Sequence, residues 1–153
     1  MGIFNIHDVL EFAIRIEEDG EAFYRKAMKD SNGAARSLFE RLADEEISHQ
    51  EIFRQIRSTL GDYKPNETFE GEYIQYLHDY IDGKVVFRGH PPDSTGTVAS
   101  VFDFAIQREM DSILYYREIK PFVPEKHHNV IDRIIDEERK HFRLLSEMRR
   151  GLK

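Results

Sequence analysis

Two Glu-x-x-His quartets, Glu46-Ile47-Ser48-His49 and Glu138-Arg139-Lys140-His141, stand 92 residues apart, and each has another glutamate, Glu17 or Glu109, 29 residues upstream. Sliding the chain against itself by that offset, without a gap, also pairs Val9 with Val101, Phe12-Ala13-Ile14 with Phe104-Ala105-Ile106, and Tyr24-Arg25 with Tyr116-Arg117. Arg41 with Arg133 and Asp44-Glu45 with Asp136-Glu137 extend the match. A repeat that carries glutamates and histidines along with the apolar frame describes one helical hairpin used twice, and two such hairpins make a four-helix bundle.

At 153 residues the chain has material for one sizeable core, so residues 1–153 are read as a single domain. No apolar run approaches the roughly 20 residues that cross a bilayer, and no membrane association is expected. Met1-Gly2-Ile3-Phe4-Asn5 lacks the basic and apolar regions of a signal peptide, which makes the cytoplasm the expected location. A net charge of −7 without a Lys/Arg cluster argues against nucleic acid as a partner. The chain has no cysteine, which excludes disulfides, thiol catalysis, iron–sulfur clusters and any thiolate-held metal. Redox chemistry would have to run on oxygen and nitrogen ligands.

Helical periodicity predicts a first helix from Asn5, with Asp8 three residues on, to about Lys29, and a second from about Ala34 to Leu60, ended by Gly61. Ser31-Asn32-Gly33 is the turn of this first hairpin, which spans about 6–60. The connector of about 61–96 contains Pro65, Gly71, Gly83, Gly89 and Pro91-Pro92, yet Phe69, Tyr73, Tyr76, Leu77 and Tyr80 are spaced for a short helix. That stripe is read as packing, with a homodimer contact as its other use. The second hairpin, about 97–150, predicts helices from Thr97 to Lys120 and from Glu125 to Arg150 around Pro121 and Pro124. Ile14, Leu42, Phe53, Ile106, Ile134 and Leu145 are the expected core.

In an antiparallel hairpin, residues equidistant from the turn lie at one height. Glu17 and Glu46 have their midpoint inside Ser31-Asn32-Gly33, and Glu109 and Glu138 have theirs inside Pro121-Phe122-Val123-Pro124. Each pair therefore meets about 20 Å from its turn at 1.5 Å rise per residue. Glu46 with His49, and Glu138 with His141, are three apart and share a helix face. Four carboxylates directed into a core repel one another unless cations or protons neutralise them, so the constellation points to two divalent ions. Glu45 and Glu137, four residues before the histidines, share the same face. The direct-ligand role falls to Glu46 and Glu138, leaving Glu45 and Glu137 either solvated or accepting the histidines' second N–H. Affinity is expected to fall on acidification through about pH 6.5, the ordinary histidine range. His7, His78, His90, His127 and His128 have no partner at ligand spacing and are read as surface residues.

The chain resembles the ferritin-like di-iron carboxylate proteins, and within them the rubrerythrin group. The carrying residues are Ile16-Glu17-Glu18 with Phe23-Tyr24, Leu42-Ala43-Asp44-Glu45-Glu46 with His49, Ala105-Ile106 with Glu109 and Tyr115-Tyr116, and Asp136-Glu137-Glu138 with His141. The resemblance covers the helices and implies an all-α, ferritin-like four-helix bundle whose two hairpins are joined by a long crossover. It implies Glu17 and Glu109 as terminal carboxylates, Glu46 and Glu138 as bridging ones, and His49 and His141 as caps on two iron ions, with manganese or zinc as other occupants. Tyr24 and Tyr116, two turns beyond Glu17 and Glu109, are read as core residues with satisfied hydroxyls or as outer support for the site.

Two departures stand out. Rubrerythrins proper carry a cysteine-ligated rubredoxin domain, which a chain without cysteine cannot have, so electrons must come from an external donor protein. Their extra glutamate one turn after the third-helix ligand is here Ser112. The implied activity is that of a non-haem di-iron oxidoreductase reacting with hydrogen peroxide or dioxygen. Ferroxidase or iron-buffering work, and a metal-stabilised non-catalytic helical binding module, are the competing readings.

Overall fold

A computed structural model of the chain describes residues 5–65, 72–82, 91–92 and 96–152. Five α-helices account for most of them: α1 (Ile6–Lys29), α2 (Gly33–Ser58), α3 (Glu72–Asp82), α4 (Val98–Ile119) and α5 (His128–Arg150). The start of α1 is set by a reciprocal cap: the Asn5 side chain accepts from the His7 amide at 2.8 Å, and the Asp8 carboxylate accepts from the Asn5 amide at 2.8 Å. That arrangement satisfies donors that the first helical turn leaves open.

The ends of the other helices differ slightly from the sequence reading. α2 begins at Gly33 and stops at Ser58; Gly33 and Gly61 both adopt positive φ, +57° and +53°, where a side chain would be strained. Pro121 and Pro124 break the second hairpin's turn into two short 3₁₀ segments, Lys120–Phe122 and Glu125–His127, and this delays α5 to His128. The connector helix covers Tyr73, Tyr76, Leu77 and Tyr80 as the aromatic spacing implies, whereas Phe69, Gly71, Gly83, Gly89 and His90 lie outside the described residues.

Contacts fix the directions of the helices. Along the α1–α4 seam the Tyr115 hydroxyl donates to the Val9 carbonyl at 2.9 Å, and Phe23 lies 5.0 Å from Phe104, so α4 runs antiparallel to α1. Lys120 pairs with Asp132 at 2.8 Å and Arg149 with Asp103 at 2.8 Å, which makes α5 antiparallel to α4. Since α1 and α2 form the first hairpin, α4 is parallel to α2, and the connector crosses the length of the bundle. On its way α3 lies along α4, through Tyr73 on Phe122 and Tyr80 on Tyr115, with Leu77 fully buried.

Two apolar clusters sit on either side of the mid-plane. One gathers Val9, Leu10, Phe53, Tyr115, Tyr116, Ile131 and Ile134; the other gathers Phe23, Tyr24, Leu38, Phe39, Leu42, Phe102 and Leu145. Of the expected core residues, Ile14, Leu42, Phe53, Ile134 and Leu145 are buried, but Ile106 is only partly so and packs at the edge of the second cluster. The interval of 92 correctly matches it to Ile14, but the two hairpins do not surround the two positions equally. His7, His127 and His128 are half-buried braces at one bundle end, bonding the Gly61 carbonyl, the Thr59 hydroxyl and the Val123 carbonyl.

Phe53 is fully buried with its ring 4.9 Å from that of Tyr116, whereas Ile47 on the same helix is 37% exposed. Phe53→Ala is expected to lower unfolding stability by about 3–5 kcal/mol and Ile47→Ala by less than about 1 kcal/mol, measured by denaturant titration. Equal losses would contradict the assigned core.

Candidate metal centre

Between the two clusters lies a polar layer where an apolar core would be expected. Glu17, Glu46, His49, Glu109, Glu138 and His141 are all at most 4% exposed. Each of the four helices of the two hairpins contributes to it: α1 gives Glu17, α2 gives Glu46 and His49, α4 gives Glu109, and α5 gives Glu138 and His141. The six residues singled out by the repeat are therefore brought together. They fall into two groups, Glu17, Glu46, His49 and Glu138 on one side, and Glu46, Glu109, Glu138 and His141 on the other, with the facing atoms of each group within 4.8 Å of one another. Glu46 and Glu138 belong to both.

The inner atoms are close but are not hydrogen-bonded. His49 Nδ1 is 2.9 Å from Glu138 Oε1 and 3.4 Å from Glu17 Oε2; His141 Nδ1 is 3.5 Å from Glu138 Oε2 and 3.6 Å from Glu109 Oε2. All of these atoms are buried without a hydrogen-bond partner. Orphaned polar atoms are costly in a protein interior, about 1–3 kcal/mol each and more when charged. Their convergence on two shared points is the pattern of a donor set waiting for cations.

The outer atoms, by contrast, are well supplied, and always from the opposite hairpin. Tyr24 of α1 donates to Glu109 Oε1 of α4 at 2.5 Å, and Tyr116 of α4 donates to Glu17 Oε1 of α1. His49 Nε2 donates to Glu137 Oε2 at 2.6 Å, and His141 Nε2 donates to Glu45 Oε2. A carboxylate can only accept, so in these pairs the Nε2 atom carries the proton and the ring's Nδ1 faces the centre. Glu45 and Glu137 thus take the outer role, and they are about one-third exposed. Exchange of partners under the interval of 92 gives the centre its approximate two-fold character.

Other contributors carry no periodic signal. Gln50, buried in α2, donates to the Glu17 carbonyl at 3.2 Å and to Glu21 Oε1 at 2.9 Å, and Arg108 donates to the Ile16 carbonyl at 2.8 Å. The repeat offers phenylalanine in place of Gln50 and isoleucine in place of Arg108, so self-comparison had no means of finding them. Ser112, one turn after Glu109, is also buried.

The electrostatics follow from this crowding. Burial works against ionising Glu17 and Glu109, but the adjoining Glu46 and Glu138 carboxyls, the nearby histidines and the tyrosine hydroxyls outweigh it; Glu17 is lowered and Glu109 is lowered to about 2. Burial, with the neighbouring carboxylates, raises Glu46 well above the usual range and Glu138 to about 8. Burial alone would lower the histidines, yet the surrounding carboxylates raise His49 to about 11 and push His141 well above the usual histidine range. Burial and the adjacent carboxylates keep Tyr24 and Tyr116 protonated, as donors. These directions set raised histidines and raised Glu46 and Glu138 against lowered Glu17 and Glu109, so protons are shared across the layer.

The family model for rubrerythrin matches residues 8–149, which include every residue of this layer. The chain belongs to the rubrerythrin family. A crystal structure of a Thermotoga maritima protein, described as ferritin-like and diiron-carboxylate, is similar to it at 33% sequence identity over 95% of each chain, with a TM-score of 0.70. The ferritin-like all-α bundle that the resemblance implies is thus the observed one. No curated protein matches the sequence. Among the described residues no helix is long and apolar enough to cross a membrane.

The raised histidines move the pH window upward from the ordinary range near 6.5 expected from sequence. The native metal-free rubrerythrin-family chain holds more protons than the unfolded chain on Glu138 between pH 4.5 and about 8, and on His49 between 6.5 and about 11. Stability must then fall as pH rises across their overlap, pH 6.5 to 8. Metal ions compete with those same protons, so binding strengthens over that interval. Melting temperatures are expected to decline with pH for the metal-free protein and to rise for protein held in excess manganous ion. Parallel curves would contradict this assignment of charges.

Proposed function

We propose that the chain is a non-haem di-iron oxidoreductase acting on hydrogen peroxide or dioxygen. The observation that carries the reading is the set of buried, unpartnered inner atoms of Glu17, Glu109, Glu138, His49 and His141, arranged in two groups that share Glu46 and Glu138. Membership of the rubrerythrin family, and similarity to a protein described as diiron-carboxylate, support the choice of metal. A donor set of carboxylate oxygens and imidazole nitrogens suits ferrous and ferric ions, although it also accepts manganese or zinc.

In this reading Glu17 and His49 would hold one ion, Glu109 and His141 the other, with Glu46 and Glu138 available to both. Bound ferrous ions would supply the two electrons that, with two protons, convert hydrogen peroxide to two waters. Tyr24 and Tyr116 hold Glu109 and Glu17 by their outer oxygens, so each terminal carboxylate keeps one oxygen directed inward. Glu137 and Glu45 orient the two imidazoles and increase their basicity. The close burial of the layer favours a small oxidant over a large organic substrate. Because the chain has no cysteine, sustained turnover draws electrons from a separate donor protein, in a cytoplasmic setting.

Glu46→Ala or Glu138→Ala is expected to abolish paired metal binding. Glu18→Ala is expected to leave it intact, since Glu18 is half-exposed and pairs with Arg54 at 3.1 Å. Equal metal content in all three variants would count against the ligand set.

Anaerobic stopped-flow mixing of ferrous-loaded protein with hydrogen peroxide tests the activity. Oxidation faster than that of free ferrous ion is expected in a single turnover, with repeated turnover only when a rubredoxin-like donor is added. A rate no faster than that of the free ion would leave the oxidoreductase reading without support. Faster oxidation by dioxygen than by peroxide, with no donor-dependent turnover, would favour ferroxidase work, which the hydroxyl of Ser112 in place of a further carboxylate makes a coherent second reading.

A further inference from the structure

Gly20 lies in the interior of α1, one turn beyond Glu17, and is buried. Glycine is a poor helix former, and the backbone here does not call for it, since the positive-φ glycines are Gly33 and Gly61. What the position does require is space. A Cβ atom on residue 20 would stand 2.8 Å from Glu46 Oε2, 3.0 Å from Glu46 Cδ and 3.4 Å from Arg108 Nη2. The first distance is shorter than non-bonded atoms tolerate. At the corresponding place in the second hairpin the repeat has a side chain, Ser112.

Glu46 is one of the two carboxylates common to both groups of donor atoms. With no metal bound, the end of a glutamate can swing away from an intruding methyl group at little cost. Once it must reach two cations at fixed distances, its position is set from both sides and that freedom is gone. A side chain at residue 20 should therefore leave the fold alone and act on the loaded state.

We propose that Gly20 is a positioning residue for Glu46: the space left by its missing side chain seats the shared carboxylate, and a two-ion centre in this chain depends on that space. The inference rests on the reading of Glu46 as a shared ligand, and the test separates the two claims. Calorimetric titration with ferrous ion under anaerobic conditions would be run on the wild-type chain, Gly20→Ala, Gly20→Val and Ser112→Gly, with helix content and metal-free melting temperature followed in parallel. Wild type and Ser112→Gly are expected to bind two ions per chain. Gly20→Ala is expected to melt, metal-free, no lower than wild type, because alanine is the better helix former, yet to bind the weaker ion at least tenfold less tightly. Gly20→Val is expected to retain one ion only.

A helical Gly20→Ala protein that binds both ions with wild-type affinity would overturn the proposal. So would a fall in metal-free melting temperature that accounts for the whole loss of binding, since this would make the role structural. Failure of the wild-type chain to bind two ions would instead refute the shared-ligand reading.

Discussion

Four carboxylates in one buried layer cannot all be ionised without compensation, and the rest of the structure is arranged around that constraint. Isolated burial of such charges costs far more than a small domain's entire stability of about 5–15 kcal/mol. In the metal-free chain the layer eases the conflict by sharing protons: burial and the neighbouring carboxylates push Glu46 and Glu138 toward the neutral acid, while the raised His49 and His141 face the lowered Glu17 and Glu109. Two divalent ions would resolve it differently, bringing four positive charges to the four carboxylates in place of the protons. The two apolar clusters lie above and below the layer.

Four of the six inner residues are steadied by a residue of the other hairpin. Tyr24 holds Glu109, Tyr116 holds Glu17, Glu137 holds His49 and Glu45 holds His141. Neither hairpin contains a finished half-site, so docking of the hairpins and assembly of the centre are one event. The tyrosines donate hydrogen bonds from the apolar side, and the partly exposed glutamates accept them on the solvent side. This crossed arrangement orients Glu17, Glu109, His49 and His141 from outside the layer, the kind of support that tunes metal affinity.

Much of this could be read from spacing. The interval of 92 residues identified all six inner residues and both tyrosines, because function and hairpin geometry repeat together, and the turn midpoints placed the glutamates at one height. The crossed pairing was not legible, since spacing along a helix gives a residue's height and face but not which neighbouring helix that face meets. Glu45 and Glu137 could have been solvated; only the α2–α5 contact makes them acceptors for the opposite histidines. Gln50, Arg108 and the space at Gly20 were hidden for a related reason, for they lie where the two halves of the repeat differ. Ile106 shows the same limit from the apolar side: it matches buried Ile14 in the repeat but lies at the rim of its cluster.

The central claim is that the layer exchanges shared protons for two cations. Titration calorimetry of the metal-free chain with manganous ion at pH 6.5, repeated in buffers of different ionisation enthalpy, counts the ions bound and the protons released in one experiment. Glu138, raised to about 8, and His49, raised to about 11, hold protons at that pH, so binding of two ions per chain should release at least those two protons. Binding of two ions with no proton release, or of a single ion, would contradict it.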